Sequence, residues 1–73
     1  MSRIGPEIPT GIIDGINNIF TTSSTIVYNP VIFINGVLYP SVDTIYGFTF
    51  TNNTFTITTA PSLGDVLLVS YEA

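Results

Sequence analysis

The sequence predicts an all-β domain: a small antiparallel β-sandwich, or a partly open barrel of short hairpins, behind an extended N-terminal arm. Three observations predict it. Val, Ile, Thr, Tyr and Phe fill short runs, as pleated, half-buried strands prefer. Asn, Asp, Gly and Pro punctuate those runs at close spacing. Strong helix formers are scarce, and no apolar pattern at i, i+3, i+4 is sustained.

The elements follow in order. Residues 1–9 carry Gly5, Pro6 and Pro9 without periodicity and read as the arm; residues 10–73 form a single domain. Thr10–Ile13 leads into a turn at Asp14-Gly15, and Asn18–Thr22 returns from it. Thr25–Tyr28 continues across Asn29-Pro30 into Val31–Ile34, with a break or bulge at the proline. Asn35-Gly36 has the residues of a two-residue type I′ turn, in which both central positions need positive φ. Val37–Tyr39 returns and stops at Pro40. Ile45–Thr51 and Thr54–Thr58 flank a turn at Asn52-Asn53. The stretch from 60 to 65 is a loop with a turn at Gly64-Asp65, and Val66–Tyr71 closes the chain. Asn52-Asn53-Thr54 also fits a glycosylation sequon, but no secretion signal accompanies it, so we read it as a turn.

A two-residue turn fixes register, and register fixes which side chains share a face. Around Asn52-Asn53, Phe50 pairs with Phe55 and Phe48 with Ile57, so Tyr46, Phe48, Phe50, Phe55 and Ile57 share one face. Thr49, Thr51, Thr54, Thr56 and Thr58 take the other. That hairpin has a dry face and a wet face. Around Asn35-Gly36, Ile34 pairs with Val37 and Ile32 with Tyr39 on one face. Phe33 pairs with Leu38 and Val31 with Pro40 on the other. Neither face is polar. The closing strand behaves alike, with Val66 and Leu68 on one side and Leu67, Val69 and Tyr71 on the other. A small core covers one face; the second needs the chain's own first hairpin and arm, or another protein.

Composition points to the latter. Only 8% of the residues are charged and 45% are hydrophobic, against about 25% charged in ordinary soluble domains. Such a sparse surface suits a protein packed against others, although Thr, Ser and Asn are also numerous enough to solubilise one. A domain of 73 residues without Cys has neither disulfides nor thiolate metal sites to steady it, which leaves partner subunits. Arg3 is the lone base, so nucleic-acid binding is excluded. No apolar run approaches the roughly 20 residues of a membrane span, and the first residues lack the apolar centre of a signal peptide, so synthesis in a cytoplasm is expected. The expected interface residues are Ile32, Ile34, Val37, Tyr39, Leu67, Val69 and Tyr71, together with Ile4, Pro6 and Ile8 of an arm reaching onto a neighbouring subunit or larger surface.

Chemistry finds no footing. Ser and Thr abound, but no His, Cys or Lys stands ready to activate them. Asp14, Asp43 and Asp65 fall in separate turns, where Asp is expected for its own backbone hydrogen bonds. The run from Asp14 to Asn18 lacks the acidic density of a calcium loop. We therefore expect no enzyme, no metal and no cofactor. Asp14, Gly15, Asn35, Gly36, Asn52, Asn53, Gly64 and Asp65 are assigned to turn structure. Tyr28, Tyr39, Tyr46 and Tyr71 would be the platform of a carbohydrate-binding module; the plainer reading is that Tyr is a good strand residue with a polar tip.

The order of the pieces adds a resemblance. "GIIDGINNIFTT", "PVIFINGVLYPSVD" and "NNTFTITTAPSLGDVLLVSYE" together resemble a small β module of tailed-bacteriophage structural proteins. Its pattern falls here on Gly11, Asp14, Gly15, Asn17, Phe20, Asn35, Gly36, Asp43, Ala60, Pro61, Gly64, Asp65 and Tyr71, spanning nearly everything from Pro9 onward. These are mostly turn positions and strand alternation. The resemblance implies a non-enzymatic virion protein with other virion structural proteins as partners, and a homo-oligomer, a trimer by analogy. The sequence shows the module with neither fibre stalk nor receptor-binding head. The expectation is therefore a capsid decoration (cement) protein that binds the phage shell. A tail or neck adaptor that anchors a fibre is the alternative, and a carbohydrate-binding module for host recognition is a third reading from another class. The resemblance implies no catalytic residues.

Overall fold

A computed structural model describes residues 3–73, and it is all-β. The strands are β1 (Arg3–Glu7), β2 (Ile19–Thr21), β3 (Tyr28–Ile34), β4 (Val37–Pro40), β5 (Phe48–Thr51), β6 (Thr54–Ile57) and β7 (Leu67–Glu72). They form two open antiparallel sheets: a large one in the order β1-β7-β3-β4 and a small one in the order β2-β6-β5. This is the small sandwich that the alternation of the sequence predicts.

Both hairpin registers are those expected. Ile32 faces Tyr39 and Phe33 faces Leu38; Phe48 faces Ile57 and Phe50 faces Phe55. Asn35 and Gly36 both adopt positive φ, 53° and 85°, as a type I′ turn requires. At the other turn Asn52 takes φ 55°. The bulge expected at the proline lies between Tyr28, which faces Glu72, and Val31, which faces Ser70. Pro30 has no N–H to give a ladder, and Asn29 turns into the left-handed region at φ 55°.

The core lies between the sheets. Ile32, Ile34, Leu67, Val69 and Tyr71 enter it from the large sheet, and Phe20, Phe48, Phe55 and Ile57 from the small one. Phe55 is the hub, its ring 5.8 Å from that of Phe20 and 5.7 Å from that of Phe48. Apolar burial of this kind is worth roughly 1.5–3 kcal/mol per large side chain. Even so, a domain this small stays marginal.

Four expectations need correction. The arm is not free: Arg3–Glu7 is an edge strand on β7, with Arg3 opposite Glu72 and Ile4 opposite Tyr71. Ile4 packs against the core. Polar groups fasten this strand as well. Arg3 donates from Nε to Ser70 Oγ (3.1 Å) and from Nη1 to the Asn29 carbonyl (2.9 Å), with Glu72 3.9 Å away. Glu7 accepts both the N–H and the hydroxyl of Ser23. Met1 and Ser2 of the expected arm lie outside the described residues.

Thr10–Ile13 is not a strand; only Thr10 bridges to Thr21. The Asp14 carboxylate takes the N–H groups of Ile16 and Asn17, and the Asn17 amide donates to the carbonyls of Ile12 and Ile19. Side chains thus satisfy the backbone that a ladder would have used. Likewise Ile45 and Tyr46 give their N–H groups to the Asp43 carboxylate, so β5 begins only at Phe48. Thr25–Val27 precede the strand, with Ile26 and Val27 donating singly to the carbonyls of Asn52 and Glu72.

Candidate docking surface

Alternation sends the other half of every strand outward, and the two sheets then differ. On the small sheet the outward residues of β5 and β6 are Thr49, Thr51, Thr54 and Thr56, joined by Ile19 and Thr21 of β2. Thr49 and Thr51 are exposed. On the large sheet the outward residues are Val31 and Phe33 of β3, Leu38 and Pro40 of β4, and Leu68 of β7, extended by Val66. Asn35 continues the ladder to Val66, exchanging its N–H for the Val66 carbonyl and accepting the Val66 N–H on its side chain. Phe33 lies between Leu68 and Leu38, its partners on either side. Leu38 is 51% exposed and Val66 58%, while Val31, Phe33 and Leu68 are half-buried. No strand or loop among the described residues covers this face.

Polar groups mark its two ends. At one end the Arg3 guanidinium reaches over Ser70 to Asn29, beside Glu72, and Asn29 Nδ2 donates to Glu72 Oε2 at 2.8 Å. At the other end Asp65 holds Asn35 Nδ2 at 3.0 Å and the Ser62 N–H at 2.9 Å. Every residue of the apolar strip between them belongs to a paired strand or to the Asn35–Val66 link.

The expected interface residues separate on this geometry. Ile32, Ile34, Leu67, Val69 and Tyr71 are core residues of this chain, each no more than 5% exposed. Tyr39 packs against the core, its ring centre 4.8 Å from that of Tyr46. Val37 is exposed at the turn, and Ile8 and Pro6 are exposed near β1. The pairing was legible in the sequence, but the face facing outward is the opposite one, with Phe33, Leu38, Leu68, Val66, Val31 and Pro40. One signal could have found them. Along the closing strand the Val66–Leu68 series runs on into Ser70 and Glu72, while the Leu67–Val69–Tyr71 series ends in Ala73. The series that turns polar faces out.

The residues assigned to turns lie between the strands, and the turn expected at Gly64-Asp65 is centred on Leu63-Gly64. Gly15, Gly36 and Gly64 take positive φ, and the Asp65 N–H closes its turn on the Ser62 carbonyl. The N–H groups of Asn17 and then Ile16 hold the Asp14 carboxyl below its ordinary value of 3.8. The four tyrosines form no common platform. Tyr71 is fully buried with its hydroxyl on the Ser24 N–H (3.1 Å), Tyr39 and Tyr46 lean on each other, and Tyr28 is exposed on β3. Where β4 stops at Pro40, an open groove of about 650 Å³ is lined by Arg3, Asn29, Pro30, Val31, Ser41 and Phe50 as well. Its one ionisable group is Arg3, so it pairs no acid with a base. Among the described residues no three acidic side chains converge on a point that could hold a metal ion. No family model, no curated protein and no solved structure matches the chain.

Proposed function

We propose that the protein is a non-enzymatic structural component of a bacteriophage virion, a decoration module that binds the shell and works in assembled form. The apolar outer face of the large sheet carries this reading. Val31, Phe33, Leu38, Pro40, Val66 and Leu68 make a contiguous strip across three strands of the chain. Monomeric proteins seldom expose such patches without using them. Few charges surround it, as at the centre of protein interfaces, where charged residues are depleted. The resemblance to the small β module of phage structural proteins supplies the setting. The reading needs no catalysis.

The test is to locate the protein on particles by electron microscopy and to mix purified protein with isolated heads and tails. Density on the shell, in numbers that follow the shell subunits, is the expected result. Density confined to the neck or tail would make it an adaptor instead. Failure to bind either structure would remove the virion reading.

A further inference from the structure

Granting that the uncovered face is an assembly surface, the identity of its occupant follows from where the few charges lie. We infer that the outer face of the large sheet binds the same face of a second copy. The two-fold axis runs across the strands, so that Arg3 of each copy meets Asp65 of the other.

Shape comes first. The face is a paired, regular β surface, and two such surfaces stack with strands nearly aligned and their side chains interdigitated. Phe33 sits near the middle, between Leu68 and Leu38, with Val31 and Pro40 one step further along their strands. Rotation about an axis across the strands lays Phe33 over Val31 of the second copy and Leu38 over its Pro40. Apolar groups then meet apolar groups over β3 and β4, while on β7 Leu68 meets Ser70, whose hydroxyl is already bonded to Arg3 Nε and the Ile4 carbonyl.

Charge selects this axis over the other. The Arg3 guanidinium lies at the end of the face near Ser70 and Asn29, and the Asp65 carboxylate at the opposite end beside Asn35. Both sit close to the line between β7 and β3. An axis along the strands would stack like ends, placing Arg3 near the second Arg3 and Asp65 near the second Asp65. An axis across the strands exchanges the ends, so each Asp65 carboxylate faces the Arg3–Glu72 pair of the other copy, with the guanidinium nearest to it, and not a second Asp65. Arg3 has further donors for this, since among the described residues its hydrogen bonds use Nε and one Nη1 hydrogen, with Glu72 3.9 Å from Nη1. The lone cation of a chain with net charge −4 is thus set where it offsets repulsion between two copies.

Area sets the strength. Four strands at about 4.8 Å spacing, averaging five to six residues at about 3.3 Å, give roughly 350 Å² per copy. Two copies bury about 700 Å², under the roughly 1,200 Å² at which stable complexes begin. The dimer is therefore weak, formed in solution only at high concentration and favoured where copies are held close together on a surface.

Sedimentation velocity over a micromolar to millimolar series tests this. The wild-type chain is expected to pass from monomer to dimer, and the dimer to weaken as salt is added. Leu38→Glu, on an edge strand and half-exposed, is expected to raise the dissociation constant at least about tenfold by burying a charge in the apolar centre. Arg3→Glu and Asp65→Arg are each expected to raise it about fivefold, and the double exchange to restore it to within about twofold. Melting curves of every variant report whether the monomer is intact, and Leu38→Glu and the salt series remain decisive if a charge variant fails to fold. A chain that stays monomeric throughout overturns the inference, as does a dimer indifferent to Leu38→Glu. A dimer that responds to Leu38→Glu but gains nothing from the double exchange overturns the arrangement about this axis. If the monomeric chain still coats phage heads and Leu38→Glu abolishes that coating, the shell is the occupant and only the self-pairing falls. A dimer without affinity for particles leaves the self-pairing standing and removes the virion reading.

Discussion

The two sheets pack on the same core yet present opposite surfaces to their surroundings. The small sheet turns threonines outward, and the large sheet turns Phe33, Leu38 and Leu68 outward. Threonine has the β-branch that suits a strand and a hydroxyl that water accepts, so the small sheet gains strand propensity without a second apolar face. The large sheet keeps large apolar residues on both sides, including the half that its own core does not need. Fold formation explains the first choice but not the second. The difference supports the proposal that the outer face of the large sheet is the interaction surface.

The largest losses belong to the shared interior. Phe55→Ala or Ile57→Ala, both fully buried, is expected to cost about 2–5 kcal/mol in a denaturant titration. That approaches the whole stability of a domain this size, roughly 0.05–0.15 kcal/mol per residue. Thr51→Lys and Thr56→Lys on the opposite side of the same hairpin are expected to stay within about 0.5 kcal/mol. Equal losses in the two sets would mean that the hairpin is paired one residue out of register.

Next comes the turn of the large sheet. Gly36 has φ 85°, and a Cβ there would meet nothing within 4 Å. Any loss in Gly36→Val is then purely conformational, about 1–2 kcal/mol for a β-branched residue held in the left-handed region. An unchanged melting temperature would refute the type I′ turn. Gly47 is constrained differently, since a Cβ there would overlap the Asp43 carbonyl. Gly47→Ala is expected to lower the melting temperature although its φ is unexceptional.

Smaller still is the stability effect on the outer face. Leu38→Glu is expected to change monomer stability by no more than about 0.5 kcal/mol, as exposed substitutions do. A large loss would mean that Leu38 is structural and that the contrast between the faces is overstated. The smallest effect is acid sensitivity at Asp14. Its folded carboxyl titrates below 3.8, so its contribution is complete above that pH and is lost as pH falls through the lower folded value. Asp14→Asn is expected to lower the melting temperature slightly at neutral pH and to converge with the wild type in acid, which flattens the acid limb of the profile.

How far the sequence could be read depended on the range of each interaction. The Asn35-Gly36 and Asn52-Asn53 hairpins were legible residue by residue, because a two-residue turn dictates the pairing on both sides. The strand at Arg3–Glu7 was not, because its partner β7 lies at the far end of the chain and its only core contribution is Ile4. A single apolar residue among Gly and Pro carries no period. Ile12-Ile13 and Ile45 looked like strand because they are β-branched. The Asp14 and Asp43 side chains instead capture the neighbouring N–H groups and bend both segments into loops. The docking face was half legible. Parity separated Ile32 and Ile34 from Phe33 and Leu38, but with both sets apolar the sign had to come from the polar end of β7 at Ser70 and Glu72.

In the proposed assembly the outer face of the large sheet is covered and that of the small sheet is not. Hydroxyl-radical footprinting of the assembled protein against the dilute monomer measures this residue by residue. Phe33, Leu38 and Leu68 are expected to lose reactivity on assembly while Ile19, outward on the threonine face and 52% exposed, keeps it. Protection of Ile19 with Phe33, Leu38 and Leu68 unchanged would contradict the account.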